Sequence, residues 1–573
     1  MKTLLKYLKE FYLRMGIGFV IKTIGTVIEL LIPFVLTFVL ENIIKMKLLD
    51  VIFYGGIMAI CSVFACLFNV IANRMASKVS KSFAENMRKE LFFKTLKLSA
   101  RQTDRFTIPS LESRITTDTY NVHGFINMMQ RMGVRAPIML FGGIGITLFM
   151  DWKLSLVMIA LMPVLFIIVL FIRTKGIPLF TKVQARVDNM IRVVREDAQG
   201  IRVIKALSKT DYEHRRYNKQ NLALMREEIK ANIIMGSVHP IMNVFMNMGS
   251  VAVIALGANY IVSGESTPET IIAFIQYFTQ ISMALMAVTR MLVMYTKSSA
   301  SAKRIEEVLL TESEIKTYSA DEYPKKQTDS HIVFDNVIFS YNGRRNNIED
   351  LSFELKKGEH LGIIGTTGSG KSTALKLLLR FYDIDKGGIY INGENIKTID
   401  SERLYSYFGC SLQNDFLYAE TIEENIKFGR EISPENVRKA AKIAQADDFI
   451  EDFEEGYNHL LSPHGTNISG GQKQRILIAR ALAANPDILI LDDSSSALDY
   501  KTDANLRIAL EENMKDTTVV TVAQRVSTVK NCDMIIVLDR GRVIGKGKHD
   551  ELLESCPEYK EISDTQIGGA FVE

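Results

Sequence analysis

The chain has 573 residues, a mean hydropathy only slightly above zero and a formal net charge of +4. That length exceeds one ordinary domain and calls for two or three units. So small a charge, without a Lys/Arg block interleaved with aromatics, gives no sign of nucleic-acid binding. The five cysteines (Cys61, Cys66, Cys410, Cys532, Cys556) lack Cys-x-x-Cys spacing and histidine companions, which argues against a zinc site or a disulfide framework.

Residues 2–14 carry Lys2, Lys6, Lys9, Glu10 and Arg14 and read as an amphipathic helix on a cytoplasmic membrane surface. The apolar stretch after them is too long for a signal-peptide core. Six segments, near 17–40, 51–72, 128–150, 154–172, 238–262 and 271–294, are apolar enough to be spans, each supplying the about 20 helical residues that a bilayer core of about 30 Å requires. Two long polar connections separate the second span from the third and the fourth from the fifth. The first holds Arg74, Lys78, Lys81, Arg88, Lys89, Lys94, Lys97 and Arg101; the second holds Lys182, Arg186, Arg192, Arg195, Arg202, Lys205 and Lys209. The positive-inside bias puts both connections, and with them both termini, in the cytoplasm. Their helical periodicity predicts long helical hairpins, with tips near Ser113–Thr119 and Asp211–Tyr217.

Glu29, Arg131, Arg135, His239, Asn243, Asn247 and Arg290 interrupt the spans and are candidates for a translocation path or for helix packing. Methionines crowd the same segments (Met128, Met129, Met132, Met242, Met246, Met248, Met283, Met286, Met291, Met294), which suits either a cavity for varied apolar compounds or ordinary packing.

Residues 313–329 turn polar and read as a linker to a soluble domain over 330–573. Within that domain a buried-strand pattern, His360–Gly365, runs into Gly365-Thr366-Thr367-Gly368-Ser369-Gly370-Lys371-Ser372-Thr373 and then an apolar helix. Strand, glycine loop, lysine and hydroxyl in that order form a phosphate-binding loop: the glycines let successive N–H groups face phosphate oxygens, Lys371 adds charge, and Ser372 offers a hydroxyl to Mg²⁺. A second apolar strand ends in Asp492 and Asp493, which puts a carboxylate beside the loop, where Asp492 holds the metal through water.

With these motifs in view the chain resembles the ATP-binding cassette (ABC) exporters. Ile468-Ser469-Gly470-Gly471-Gln472-Lys473-Gln474-Arg475 is similar to that family's signature, in which a helix start binds the γ-phosphate of ATP held by the other cassette. The resemblance also implies that Tyr341 stacks on adenine, that Gln413 senses Mg²⁺, and that Ser496-Ala-Leu-Asp499 is the loop exchanged between cassettes. The implied fold is an α-helical six-span membrane domain with long cytoplasmic helical hairpins (1–312), a linker (313–329) and an α/β P-loop nucleotide-binding domain (330–573). The implied cofactors are ATP and Mg²⁺; the implied partners are a second half-transporter subunit, membrane lipid and a small hydrophobic substrate, at the plasma membrane.

Departures from the family pattern refine this. Asp493 stands where the family has the Glu that acts as base on the attacking water, and Gln524 where it has His; Ser462-Pro463 replaces a common Gly-Glu before the signature. A carboxylate one methylene shorter is retracted by roughly 1.5 Å, and a glutamine amide carries no positive charge. Paired losses of this kind resemble the slow site of a heterodimeric, multidrug-type exporter, in which Ser469 completes the partner's site. The competing expectations are a homodimeric lipid or peptide exporter with slow hydrolysis by Asp493, and an ATP-gated channel on the same scaffold. The spans exclude the soluble translation and repair cassettes.

Overall fold

A computed structural model describes residues 6–43, 46–264, 266–413, 415–494 and 496–568. The chain divides into two compact units, Met1–Lys97 with Phe106–Glu312, and Leu98–Arg105 with Ser313–Glu573.

The first unit is helical. Lys6–Phe11 is a 3-10 segment, the only described helical part of the surface helix expected over 2–14 before α1 (Tyr12–Asn42) begins. The α-helices that follow in the N-terminal half are α2 (Leu48–Leu96), α3 (Ala100–Phe106), α4 (Ile108–Ser113), α5 (Thr119–Met150), α6 (Trp152–Phe171), α7 (Ile177–Ala206), α8 (Thr210–Gly236), α9 (Val238–Val262) and α10 (Pro268–Leu310), with π-helical turns at Arg114–Asp118 and Ile172–Gly176. Among the described residues five helical stretches are long and apolar enough to cross a bilayer: Lys6–Asn42, Leu48–Leu96, Ile108–Met150, Thr210–Val262 and Pro268–Leu310. The segment expected as the fourth span forms α6, whose described apolar stretch, Trp152–Ile168, is shorter.

Both long connections continue as helix beyond the apolar stretches, but they turn elsewhere than the sequence suggested. The first turns around residues 97–107, where Thr107 takes a left-handed φ of 64°, and the second at 207–209. Ser113–Thr119 stays helical, with Arg114, Asp118 and Thr119 buried as interior contacts. Asp118, fully buried, accepts from Ser301 Oγ at 2.7 Å and Arg304 Nε at 2.8 Å on α10, and Arg114 pairs with Glu307 at 3.0 Å. Arg216 likewise joins Glu213 at 3.1 Å on its own helix to Glu196 on α7, closing the second hairpin.

Small residues bring the spans together. A Cβ on Gly25 of α1 would lie 3.0 Å from Phe68 Cβ on α2. The unit's core gathers Leu30, Met139, Met158, Met242, Met246, Phe274, Tyr277 and Phe278, so Met242 and Met246 pack in the core, whereas Met248 and Met283 are exposed. Of the polar residues in the spans, Glu29 pairs with Arg135 and Arg131 reaches Asn73. Asn247 and Arg290 are exposed, and the His239 side chain lies outside the described residues.

The second unit is built on two sheets. β1 (Ile332–Phe339), β2 (Ile348–Leu355), β4 (Lys386–Ile391) and the short β5 (Glu394–Asn395) make an antiparallel sheet in the order β2-β1-β4-β5. β3 (His360–Gly365), β6 (Phe408–Ser411), β7 (Ile488–Asp492), β8 (Thr518–Val522), β9 (Met534–Asp539) and β10 (Arg542–Gly547) make the other, ordered β10-β9-β3-β8-β7-β6. Pairing in it is parallel except at the β10 edge, and the central strands β3 and β7 are buried on both faces, which explains their unbroken apolar runs.

Residues 313–329, expected as a linker, are fastened to this unit. Lys316 O accepts from Arg380 Nη2 at 2.6 Å, Tyr318 N donates to Lys397 O at 2.9 Å, and Lys326 N donates to Gly393 O at 2.9 Å. Leu98–Arg105 joins the same unit although its sequence neighbours belong to the helical one: Tyr382 Oη donates to Asp104 Oδ2 at 2.9 Å and Ser99 Oγ to Glu314 Oε2 at 3.1 Å.

Candidate nucleotide site

β3 delivers the glycine loop to the end of the parallel sheet, and α11 (Lys371–Leu378) starts directly after it. The turn needs glycine at both ends. A Cβ on Gly365 would sit 2.1 Å from the Leu538 carbonyl oxygen, and Gly370, at φ 106°, is the left-handed residue before the helix. Gly368 also has a left-handed φ, of 82°. Ser369 is buried and its hydroxyl oxygen has no partner.

Thr367, Gly368, Gly370, Lys371, Ser372, Thr373, Gln413, Asp492, Asp493 and Gln524 line one cleft of about 360 Å³, together with Asn347 and Val522. Lys371 Nζ donates to Gly365 O at 2.8 Å and Thr366 O at 2.9 Å. Burial lowers the Lys371 pKa, opposed by Asp492 and Asp493; burial raises both carboxyls, opposed by Lys371 and, at Asp492, by the Ser372 hydroxyl 3.5 Å away. Tyr341 Oη lies 3.3 Å from Thr373 Oγ1, and its ring meets Phe339 and Tyr382 edge-on at 4.8 and 5.1 Å between centroids.

Asp493 and Gln524 touch. Gln524 Nε2 donates to Asp493 Oδ2 at 3.1 Å, from the loop after β8 to the loop after β7. Asp493 is held at φ 52°, its N–H donating to Val522 O at 2.9 Å and its own carbonyl accepting from Ser496 Oγ at 2.8 Å.

The signature residues are not among those lining the cleft. Ser469 is the N-cap of the 13-residue helix Gly470–Leu482: its Oγ accepts from Gln472 N at 3.2 Å, and Gln472 Oε1 accepts from Ser469 N at 2.9 Å. This reciprocal box fixes the helix start while Gly470 keeps it open, and N–H groups with the helix dipole favour an anion there. Gly471 faces the loop 496–499, with Ala497 O 3.2 Å from the position of a Cβ. Asp499 of that loop caps the next helix by accepting from Thr502 N at 2.9 Å. The Ser462-Pro463 turn is closed by Asn467, whose Oδ1 accepts from Ser462 N at 2.9 Å.

A glycine cradle that side chains would fill, an orphaned buried hydroxyl, a lysine and a Ser–Asp pair fit a nucleoside triphosphate with its cation. Residues 15–285 match the model described as the ABC transporter transmembrane region, and residues 348–496 match that of the ABC transporter domain. YfiB of Bacillus subtilis, an uncharacterized ABC transporter ATP-binding protein, is 34% identical over 571 residues, 99% of both chains. The chain belongs to the ABC transporter family. The family member Rv1273c of Mycobacterium tuberculosis, likewise uncharacterized, is 30% identical over 96% of each chain. A solved bacterial Atm1-family ABC exporter with ATP bound has the same fold, with a TM-score of 0.83 at 24% identity over 96% of this chain and 98% of that one. This ABC transporter is therefore a multi-pass, ATP-hydrolysing membrane protein of exporter fold.

Several contacts at the site gave no sequence signal. Asn347 lines the cleft, and Gln474 Nε2 donates to the fully buried Ser411 Oγ at 3.1 Å, tying the signature helix to the strand before Gln413. Arg480, at the far end of that helix, is buried. Its Nε donates to Asn425 O and its Nη1 to Phe416 O, both at 2.9 Å, and its Nη2 donates to Asn425 Oδ1 at 3.1 Å. Arg480→Met is expected to lower the stability of the soluble unit by about 3 kcal/mol, because two backbone carbonyls and an amide lose a charged donor. The check is the urea midpoint of that unit's transition in the detergent-solubilised full chain.

Proposed function

We propose that this chain is one subunit of a heterodimeric ABC exporter that moves a hydrophobic or amphipathic compound out across the plasma membrane, with its nucleotide-binding domain (330–573) and both termini in the cytoplasm. Its own phosphate loop holds ATP and hydrolyses it slowly, and its signature completes the faster site on the partner. The observation that carries this reading is the Gln524–Asp493 hydrogen bond, at 3.1 Å. A general base must reach the attacking water with a free lone pair. Asp493 is short for that task, and an amide donor already occupies one of its oxygens.

In this reading Tyr341 carries the base; Gly365, Thr366, Thr367, Gly368, Ser369, Gly370, Lys371 and Thr373 hold the phosphates; Ser372, Gln413 and Asp492 hold Mg²⁺. Bound ATP supplies the phosphoryl group whose transfer to water drives the cycle. Ser469, Gly470, Gly471 and Gln472 present their helix start to the partner's nucleotide.

Purification through a tag on this chain from its native membrane is expected to bring down a second half-transporter with Glu and His at the positions matching Asp493 and Gln524. The chain expressed alone is expected to show little vanadate-sensitive ATPase. Vigorous turnover by a homodimer would sink the proposal.

A further inference from the structure

Lys22 lies in the first span, yet it is only 3% exposed. Its ammonium donates to two neutral amides of α2, Asn69 Oδ1 at 2.7 Å and Asn73 Oδ1 at 3.2 Å, rather than to a carboxylate. Arg131 of α5 donates through Nε to the same Asn73 oxygen, also at 3.2 Å, so two cations converge on one uncharged acceptor. One turn further along α5, Arg135 is engaged by Glu29 of α1 at 2.5 Å. The charges acting on Lys22 are those of Arg135, Arg131 and Glu29: three cations, Lys22 included, face one carboxylate.

An arrangement that served only to join helices would pair each cation with an acid, because surplus charge among apolar spans is costly. Here the surplus is positive and held in place by amides.

We propose that the half-buried Arg131 and Arg135, positioned by Asn73 and Glu29 and reinforced by the charge of the buried Lys22 behind them, bind the anionic group of an amphipathic substrate. The inference rests on the export reading and narrows its substrate to anionic amphiphiles, carboxylate, sulfonate or phosphate, in preference to cationic ones.

The test uses the transporter purified through this chain and placed in phosphatidylcholine nanodiscs. Binding of cholate (anion) and tetraphenylphosphonium (cation) is titrated without nucleotide, so the result does not depend on ATP turnover; vanadate-sensitive ATPase is measured separately. Cholate is expected to bind and the cation to bind at least about tenfold more weakly. Arg131→Gln should weaken cholate about tenfold, the worth of one charge-assisted hydrogen bond, while Arg131→Lys, which keeps the charge, should retain most of the affinity. Discs containing phosphatidylglycerol distinguish a lipid headgroup from a soluble anion: competition with cholate there identifies the lipid as an occupant of the same site. Equal or tighter binding of the cation in the unmutated transporter, or cholate binding indifferent to Arg131→Gln, overturns the proposal. A transporter that hydrolyses ATP yet prefers the cation defeats this inference alone; one that binds cholate as expected but is not ATP-driven defeats the export reading instead.

Discussion

Replacing Asp493 by Glu together with Gln524 by His is expected to raise the ATP turnover of this chain, purified without a partner, by about 100-fold, the low end of what a positioned general base contributes. Any dimer of the chain alone carries two copies of the same composite site, so vanadate-sensitive ATPase reads that site directly. The added methylene extends the carboxylate by roughly 1.5 Å toward the cleft. His in place of Gln removes the amide that now donates to Asp493 Oδ2 and restores a group able to carry positive charge toward a phosphate. The control is Asp493→Asn, expected to leave the low basal rate nearly unchanged. If that single change instead lowers turnover by the factor expected of a lost base, Asp493 is already the working base and the chain is a slow homodimeric enzyme.

The nucleotide site was legible because its chemistry is local. Gly365 to Thr373 is one continuous loop between a strand and a helix, and Asp492 ends a neighbouring strand, so residue order alone brings them together. Ser469 and Gln472 were legible for the same reason, three residues apart at a helix start. What escaped depends on contacts distant in sequence. The first hairpin tip was misplaced because Ser113–Thr119 is as polar as a tip, and only the buried bonds of Asp118 to Ser301 and Arg304 show why that stretch stays helical. The 313–329 stretch looked like a linker since nothing local reveals the Arg380 guanidinium waiting for the Lys316 carbonyl. The Asp104–Tyr382 bond joins residues far apart in the chain, and so does the Gln524–Asp493 bond. In the latter case the sequence showed both substitutions, whereas their contact, which makes them one device, required the fold.

Ser469→Asp is expected to lower the ATPase of the assembled transporter by more than about 100-fold, the cost of losing one preorganised donor to transition-state charge. The choice of Asp separates structure from function. Aspartate caps a helix about as well as serine, so Gln472 N keeps its acceptor and the helix Gly470–Leu482 keeps its start. The carboxylate, however, places negative charge where a partner's γ-phosphate would approach, and the anion preference of the helix end is reversed. Lys371→Met in the same assembly disables the loop of this chain and, if the partner's loop forms the faster site as proposed, is expected to leave a substantial share of the turnover. The ratio of the two losses therefore measures the asymmetry. Equal losses would mean two equivalent sites, whatever the reach of Asp493, whereas a large loss confined to Ser469→Asp assigns this chain's principal catalytic contribution to the end of a helix that its own nucleotide does not touch.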